Sequence, residues 1–258
     1  MNTHQRRDLI AQKVLEQGRV QVSDLVHEFG MTDTSIRNDL TILEARGLLQ
    51  RIHGGAVSTN RSIQLAAYDT RLGLHREQKV HIAAAAADRL HSADIALLDS
   101  GTSVQYLARQ IPVRGGRSGR LRFVTNSIPV LEEIGGWAPH NLLMLGGIFL
   151  PEHQATVGPE TLRGLQQFNA TCAFLGCDGL TIEGGITSAH PLVAEVGRVM
   201  AQRADQVIVL ADSSKLGQAG FVPIVPMDQI DVLITDSGAP GELVDGLRQQ
   251  GVEVQLVN

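Results

Sequence analysis

The chain has 258 residues, of which 43% are apolar, so it is long enough for one small core and one medium-sized core. Its net charge of −5 and its strand-sized apolar runs exclude a strongly basic protein and a membrane-spanning one. Two cysteines, Cys172 and Cys177, are too few for a disulfide framework or a multi-cysteine metal site. The N-terminus lacks the pattern of a signal peptide, so we expect a cytoplasmic protein, without a cofactor.

Three helical patterns lie within the first 50 residues. Apolar residues recur at helical spacing over 6–16, which predicts the first helix. A second helix is predicted to have Ser23 as its N-cap and to end at Gly30, and a third to begin after Thr32 and end at Gly47. In the third helix the inward-facing positions recur at i, i+4 and i+7: Ile36, Leu40 and Leu43.

A short hairpin follows these helices, with segments 48–52 and 56–58 flanking Gly54-Gly55. Three helices followed by such a hairpin are typical of a winged helix-turn-helix, in which one helix enters the DNA major groove. We therefore predict that residues 1–58 bind a double-stranded DNA operator. The residues expected to contact DNA are Arg6, Ser23, Thr32, Thr34, Ser35, Arg37, Asn38, Arg51, His53 and Gly54. Asp39 is expected to brace Arg37 or a nearby backbone amide.

The charge of this module weakens the DNA interpretation. Residues 1–60 carry seven Lys/Arg and seven Asp/Glu, so the rest of the chain carries the whole net charge of −5. A neutral module obtains DNA affinity from the placement of its arginines, from helix N-termini directed at phosphates, and from dimerisation, which doubles the number of DNA-binding units. We therefore expect a homodimer or homotetramer, and a protein-interaction role for the module stays open as an alternative.

Beyond a connector predicted at 59–75, apolar runs alternate with helical stretches. Runs without polar alternation are typical of strands buried on both faces, and crossover helices between them make a mainly parallel sheet. The sequence thus predicts a C-terminal α/β domain at 76–258. The predicted strands are 95–99, 123–125, 142–145, 173–175, 207–211, 232–235 and 252–257, and the predicted helices lie near 79–90, 103–110, 189–203 and 240–250.

Polar and small residues follow five of these strands. Open α/β sheets bind ligands at the carboxyl ends of their strands, where hydroxyls and helix-start amides suit an anion. Gly and Ser also end strands for turn geometry alone. We predict a small, polar, phosphorylated ligand, with its phosphate at 101–103 and Lys215. The predicted contacts are Asp99, Ser100, Gly101, Thr102, Ser103, Asn126, Gly147, Asp178 and Lys215.

The chain resembles the DeoR family of bacterial transcriptional regulators over nearly its whole length. The resemblance rests on Ser35-Ile36-Arg37-Asn38-Asp39-Leu40, Arg51-Ile52-His53-Gly54-Gly55-Ala56, Lys79-x-x-Ile82-Ala83, Leu98-Asp99-Ser100-Gly101-Thr102, Val124-Thr125-Asn126-Ser127, Gly146-Gly147, Gly176-x-Asp178-Gly179, Asp212-Ser213-Ser214-Lys215 and Ile234-Thr235-Asp236. It implies a sensor domain similar in fold to phosphosugar isomerases and a repressor of carbohydrate catabolism. A phosphorylated sugar is then the effector that weakens operator binding.

One further alternative concerns catalysis. Asp99, Asp178 and Glu195 permit acid/base chemistry, so a phosphosugar isomerase or deaminase fused to a DNA-binding module stays open. We favour a non-enzymatic sensor, because a sensor has no need of turnover and a fold does not confer activity.

Overall fold

The computed structural model describes residues 3–58, 68–91, 94–113 and 121–258. The chain divides into two compact units, residues 1–70 and 71–258. Most of the predicted connector, 59–67, lies outside the described residues. Residues 71–75, also predicted as connector, belong to the second unit.

The described residues of the first unit form the helices α1, α2 and α3, a three-stranded antiparallel sheet, and at 68–70 the start of a helical stretch that runs to residue 73. The sheet has the order β1-β3-β2. This arrangement confirms the predicted winged helix-turn-helix. Its elements are α1 (Thr3–Gln17), β1 (Arg19–Gln21), α2 (Val22–Phe29), α3 (Asp33–Ala45), β2 (Gln50–Ile52) and β3 (Gly55–Val57).

Local chemistry explains where α2 and α3 begin and end. Gly30 ends α2 in the left-handed conformation, φ 62°, which glycine adopts at little cost. The hydroxyl of Thr32 accepts a hydrogen bond from the amide of Ser35 at 3.3 Å and caps α3, as predicted. The inward face of α3 is buried in the core of this unit through Ile36, Leu40 and Leu43.

The N-cap prediction for the second helix is wrong. The helix begins at Val22, its N-cap is Gln21, and Ser23 therefore lies inside the first turn. The Ser23 hydroxyl donates to Asp24 at 3.2 Å instead of capping the helix. The sequence favours Ser23 because Ser is a better N-cap than Gln. In the structure the strand β1 runs directly into the helix, which leaves Gln21 at the N-cap position.

A buried carboxylate joins α1 to α3. Asp39 is 1% exposed and accepts hydrogen bonds from Nε of Arg6 and Nε of Arg7, each at 2.7 Å. The expected Asp39–Arg37 contact is absent from the described residues, since Arg37 pairs with Asp33 one turn earlier on the exposed face. The charge on Asp39 thus fixes the packing of two helices.

The second unit is built on a seven-stranded parallel sheet in its described part, and this confirms the predicted α/β fold. The order is β15-β14-β12-β9-β4-β5-β6. All seven predicted strands lie in it: β4 (Ile95–Leu98), β5 (Arg122–Thr125), β6 (Leu142–Met144), β9 (Ala170–Leu175), β12 (Ala204–Leu210), β14 (Val232–Asp236) and β15 (Glu253–Val257).

Helices cover both faces of this sheet. The helices are α4 (Arg76–Ala87), α5 (Thr102–Gln110), α6 (Ile128–Gly135), α7 (Pro159–Leu165), α8 (Pro191–Gln202) and α9 (Gly241–Gln249). Successive strand residues face opposite sides: Leu97 packs in the core with α7, α8 and α9, whereas Ala96 and Leu98 pack in the core with α4, α5 and α6. Burial on both faces explains why these strands read as continuous apolar runs.

Two smaller sheets lie beside the main one and were not predicted. The first is a hairpin of β7 (Ile148–Leu150) and β8 (Ala155–Val157), joined by the short turn Pro151–His153. The second is antiparallel and consists of β10 (Gly179–Thr181), β11 (Gly185–Ser188) and β13 (Val222–Val225).

Replacing the buried carboxylate tests its role in the first unit. We expect Asp39→Ala to lower the free energy of unfolding by about 3 kcal/mol, because it leaves the buried Arg6 guanidinium without its partner. Urea unfolding followed by circular dichroism measures this change.

The matched control is Asp33→Ala, which removes a carboxylate from an exposed ion pair on the same helix. We expect it to cost about 0.5 kcal/mol, since exposed pairs are screened by solvent. Equal losses in the two variants contradict the bracing role of Asp39.

Candidate functional site

A cavity of about 220 Å³ opens where three neighbouring parallel strands end. Loops 99–103, 176–178 and 212–215 follow the carboxyl ends of β4, β9 and β12 and meet there. The lining residues of this pocket are Arg71, Leu74, His75, Lys79, Asp99, Ser100, Gly101, Thr102, Ser103, His153, Gly176, Cys177, Asp178, Ser188, Val193, Leu210, Asp212, Ser214, Lys215 and Ile224.

The first two loops approach each other closely. A Cβ built on Gly101 lies 3.2 Å from the Cα of Gly176, and the reverse distance is the same. The amide of Gly176 also donates to Oδ2 of Asp99 at 3.2 Å, which ties the two loops together. A side chain at either glycine makes a tight contact with the backbone of the other loop, which must shift by a few tenths of an ångström to admit it.

Three cations line the pocket: Arg71, Lys79 and Lys215. Lys79 is only 3% exposed, and its ammonium donates to the carbonyl of Arg71 at 2.5 Å and to the carbonyl of Leu74. Burial lowers the pKa of Lys79, while Asp212 raises it and Lys215 and Arg71 lower it further. The backbone amides at the start of α5 add partial positive charge to the same pocket.

Three carboxylates also line the pocket. Asp99 is 4% exposed, and burial raises the pKa of its carboxyl to about 6, although hydrogen bonds from Ser100 and Gly176 oppose that shift. Asp178 accepts from the amide of Ala189 at 2.7 Å, and Asp212 caps the turn that follows it. Each carboxylate is therefore fixed in place by backbone donors as well as facing the cavity.

The turn between β7 and β8 brings His153 into the pocket. Burial and the nearby Arg71 lower the pKa of His153 to about 4, so its imidazole is neutral at neutral pH. Its ring contacts the ring of His190 edge to face, with centroids 5.6 Å apart. A neutral imidazole can donate one hydrogen bond and accept another, which suits hydroxyl groups.

Cys177 lines the same cavity as a protonated thiol. Burial raises its pKa to about 12, and the carboxylate of Asp178 acts in the same direction. A protonated thiol of this kind is a poor nucleophile.

Seven of the nine residues predicted to contact the ligand line the pocket, and two do not. The pocket contains Asp99, Ser100, Gly101, Thr102, Ser103, Asp178 and Lys215. Asn126 is buried outside its lining and donates to the carbonyl of Thr156 at 2.8 Å. A Cβ on Gly147 lies 2.1 Å from Oγ1 of Thr161, so that glycine serves close packing. Both follow strands at the far side of the sheet order from β12.

The sequence reasoning did not select several pocket residues as ligand contacts. Lys79 appeared only as part of the family resemblance, and Asp212 only as a strand end beside Lys215. Arg71 lay in the predicted connector, and His153 lies on a turn that no periodicity marked. The guanidinium of Arg71 donates to the carbonyl of Glu152, 81 residues later and next to His153, and this hydrogen bond joins the two segments.

The predicted DNA-contacting residues divide into an exposed group and a structural group. On α3 the side chains of Thr34, Arg37 and Asn38 are exposed, and Arg37 pairs with Asp33 on the surface. Arg51 on β2 is also exposed. Its guanidinium donates to Oγ1 of Thr41 on α3 at 2.6 Å, which places it beside these side chains. These side chains form one polar surface of the first unit, which we call the α3 surface.

The hairpin tip adds to the exposed group. His53 is exposed and Gly54 turns the chain with φ 77°. Thr32 and Ser35 are bonded to each other at the start of α3, with their oxygens 3.0 Å apart. Ser23 on α2, Thr32 before α3 and His53 at the hairpin tip lie at the surface, whereas Ser35 is half-buried.

Arg6 is the exception. Its side chain is buried in the ion pair with Asp39 and is 7% exposed, so it cannot reach a phosphate without breaking that pair. We therefore assign Arg6 the bracing role and leave it out of the DNA-contacting surface.

Among the described residues, none of the helices combines the length and the apolar composition needed to cross a bilayer.

A solved structure overlaps part of this chain. Ribose 5-phosphate isomerase A from Methanocaldococcus jannaschii superposes with a TM-score of 0.41 and 15% identity. The match spans 55% of this chain and about half, 54%, of the isomerase. A likeness of this extent is no evidence of a shared function.

Comparison with known sequences identifies both units. A profile described as "DeoR-like helix-turn-helix domain" matches residues 6–62, and one described as "DeoR C terminal sensor domain" matches residues 74–237. A relative from Escherichia coli O157:H7, named as a transcriptional repressor of the aga operon, is 33% identical over 99% of this chain and 94% of its own length. The transcriptional repressor GlcR of Bacillus subtilis (strain 168) is 30% identical over 93% of this chain and 90% of its own length. The chain therefore belongs to the DeoR family and is a DNA-binding transcriptional regulator rather than an enzyme.

Proposed function

We propose that the protein represses a carbohydrate catabolic operon and that a phosphorylated sugar releases it from its operator. The observation that carries this proposal is the pocket of the second unit, where three cations and three carboxylates surround one small cavity. Two similar regulators are named as repressors, one of them of the aga operon. Family membership supports repression, and the pocket chemistry supports the class of effector.

Cations and helix-start amides favour a phosphate on one side of the pocket. We assign the phosphate to residues 101–103 at the start of α5 and to Lys215, which lines the same cavity on the loop after β12. Backbone amides at a helix start bind phosphate through directed N–H groups and the helix dipole. The ammonium of Lys215 supplies the opposing charge.

Carboxylates and a neutral imidazole favour hydroxyl groups elsewhere in the pocket. Asp99, Asp178 and His153 offer hydrogen-bond acceptors toward the cavity. A sugar with several hydroxyls satisfies such acceptors, whereas a simple anion does not. We therefore expect a sugar monophosphate to bind more tightly than inorganic phosphate.

The α3 surface is the part of the first unit that we assign to DNA. Arg37 and Asn38 are exposed on the middle of α3, where they face base edges once that helix lies in the major groove. Arg51 and the hairpin tip at His53 then lie beside the phosphate backbone. An amide such as that of Asn38 reads adenine through its N6 and N7 atoms.

We infer a homodimer or homotetramer because one reader of this size buries too little DNA surface for operator affinity. A regulator of this kind acts in the compartment that holds the genome, which is the basis for keeping the cytoplasmic expectation.

A gel-shift experiment tests the effector and Lys215 together. Purified protein is titrated onto DNA from upstream of its own gene, with sugar phosphates and their unphosphorylated parents as effectors. We expect one phosphate, and not its parent, to release the wild-type protein. Lys215→Ala should bind the DNA equally well and need roughly 10- to 100-fold more effector for release, because it loses a charge-assisted hydrogen bond.

Two outcomes contradict this assignment. Release by the parent sugar at the same concentration removes the phosphate from the proposal. Loss of operator binding in a folded Lys215→Ala protein shows that Lys215 acts in the DNA-bound state and does not serve the effector.

The α3 surface is tested by Arg37→Ala. We expect operator affinity to fall roughly tenfold, with a smaller salt dependence if the lost contact is to a phosphate. The control is Arg163→Ala, which removes an exposed arginine from a similar helix-surface ion pair with Glu160 in the second unit. Effector binding, measured by calorimetry, should be the same in both variants. Equal operator affinity in the two variants removes Arg37 from the interface.

Asp99 gives the pocket a pH dependence. Its folded pKa of about 6 lies above the value of about 3.9 for an exposed carboxyl, so the protonated form stabilises the fold below about pH 4. That contribution is lost as the pH rises through about 6. Asp99→Asn lacks this loss, so the free energy of unfolding of the variant, relative to that of wild type, should rise by about 3 kcal/mol between pH 4 and pH 7. Urea unfolding at a series of pH values measures this difference. A difference that is constant with pH contradicts the raised pKa.

A further inference from the structure

The 71–75 segment occupies a special place in the chain. The first unit ends at residue 70, so this segment is the first stretch of the second unit. Three of its residues, Arg71, Leu74 and His75, line the pocket. A ligand in the pocket therefore meets the part of the chain that leads covalently back to the DNA-binding unit.

Two cations of the pocket hold this segment in place. The ammonium of Lys79 donates to the carbonyls of Arg71 and Leu74. The guanidinium of Arg71 donates to the carbonyl of Glu152, on the turn between β7 and β8, at 2.5 Å. All three acceptors are neutral carbonyls, and a bond between two ionised groups is about twice as strong as one to a neutral acceptor.

The backbone at the end of the segment depends on these contacts. His75 adopts the left-handed conformation, with φ 50° and ψ 43°, immediately before α4. A residue with a Cβ adopts this conformation at a cost, so surrounding contacts must maintain it. Lys79, one turn into α4, supplies contacts on the N-terminal side of His75.

The charges around Lys79 favour an anion as its partner. Lys79 is buried with Lys215 and Arg71 near it, and Asp212 is the carboxylate that acts on it most strongly. A phosphate between Lys79 and Lys215 relieves the repulsion between the cations and offers charged oxygens in place of carbonyls.

We propose that Lys79 is the positioning residue that couples the pocket to the connector: an anion in the pocket draws its ammonium from the carbonyls of Arg71 and Leu74, and the 71–75 segment loosens. This proposal rests on the proposed function, because it takes the phosphate site as given. The binding energy of the effector is then used in part to release the chain next to residue 70. A ligand shifts the equilibrium between the held and the loosened segment only by contacts that differ between these two conformations.

Hydrogen exchange on the full chain tests this coupling. The probe is inorganic phosphate, compared with chloride at matched ionic strength, and phosphate binding is measured separately by equilibrium dialysis. In the wild-type protein we expect phosphate to speed exchange of the 71–76 amides. Lys79→Met should show roughly tenfold faster exchange of these amides in chloride, as expected for loss of buried hydrogen bonds, with no further increase in phosphate.

The control variant is Arg198→Met. Arg198 also donates to a backbone carbonyl, that of Pro223 at 2.6 Å, but it does not line the pocket. Its 71–76 amides should exchange as in the wild type, with and without phosphate. Exchange of the β9 amides reports in each variant whether the sheet remains folded. If Lys79→Met unfolds the sheet, the coupling is tested by Lys79→Arg and by the response of the wild-type protein to phosphate. We expect Lys79→Arg, which keeps the charge, to retain the phosphate response.

The outcomes separate this proposal from the proposed function. Failure of phosphate to bind the wild-type protein contradicts the anion site itself, and the coupling with it. Phosphate that binds without changing exchange at 71–76 overturns the coupling alone. Unchanged exchange in chloride for a folded Lys79→Met protein also overturns it, because the ammonium then does not hold the segment.

Discussion

The described main sheet has all its strands running in one direction, and the pocket depends on that constraint. Parallel strands place all their carboxyl ends at one edge, and each strand is followed there by a loop that leads away from the sheet. Because β9 lies between β4 and β12, the loops that carry Asp99, Asp178 and Lys215 converge over about three strand widths. Residues separated by more than 100 positions in sequence thereby share one cavity.

The pocket gains its chemical character from opposite charges held close together. Arg71, Lys79 and Lys215 face the same cavity as three carboxylates, and the backbone fixes most of these groups. Burial shifts the pKa of Asp99 upward and that of Lys79 downward, because each charged form loses hydration in the pocket. A ligand that carries both a phosphate and hydroxyls can satisfy both sets, which is why a sugar phosphate suits this arrangement better than a simple anion.

The first unit separates its charges by burial. Arg6 and Arg7 neutralise Asp39 inside the unit, whereas Arg37 and Arg51 remain on the α3 surface. Residues 1–60 have no net charge. One carboxylate and two arginines of this segment are occupied by the ion pairs of Asp39 with Arg6 and Arg7. Its affinity for DNA must therefore come from a few placed side chains and from repetition of the unit, not from a general positive field.

The order of the secondary-structure elements and most of the pocket loops could be predicted from local sequence patterns. Apolar runs predicted all seven strands of the main sheet, because burial on both faces leaves a local pattern that neighbouring residues show directly. Polar residues near strand ends, such as Asp99 and Lys215, were predicted because they follow these runs closely in the sequence. The tertiary structure alone decided that Arg71 and His153 join the pocket and that Asn126 does not. It also buried Arg6 against a carboxylate 33 residues away. These outcomes depend on sheet order and on helix packing, which bring distant segments together, and no local periodicity encodes such contacts.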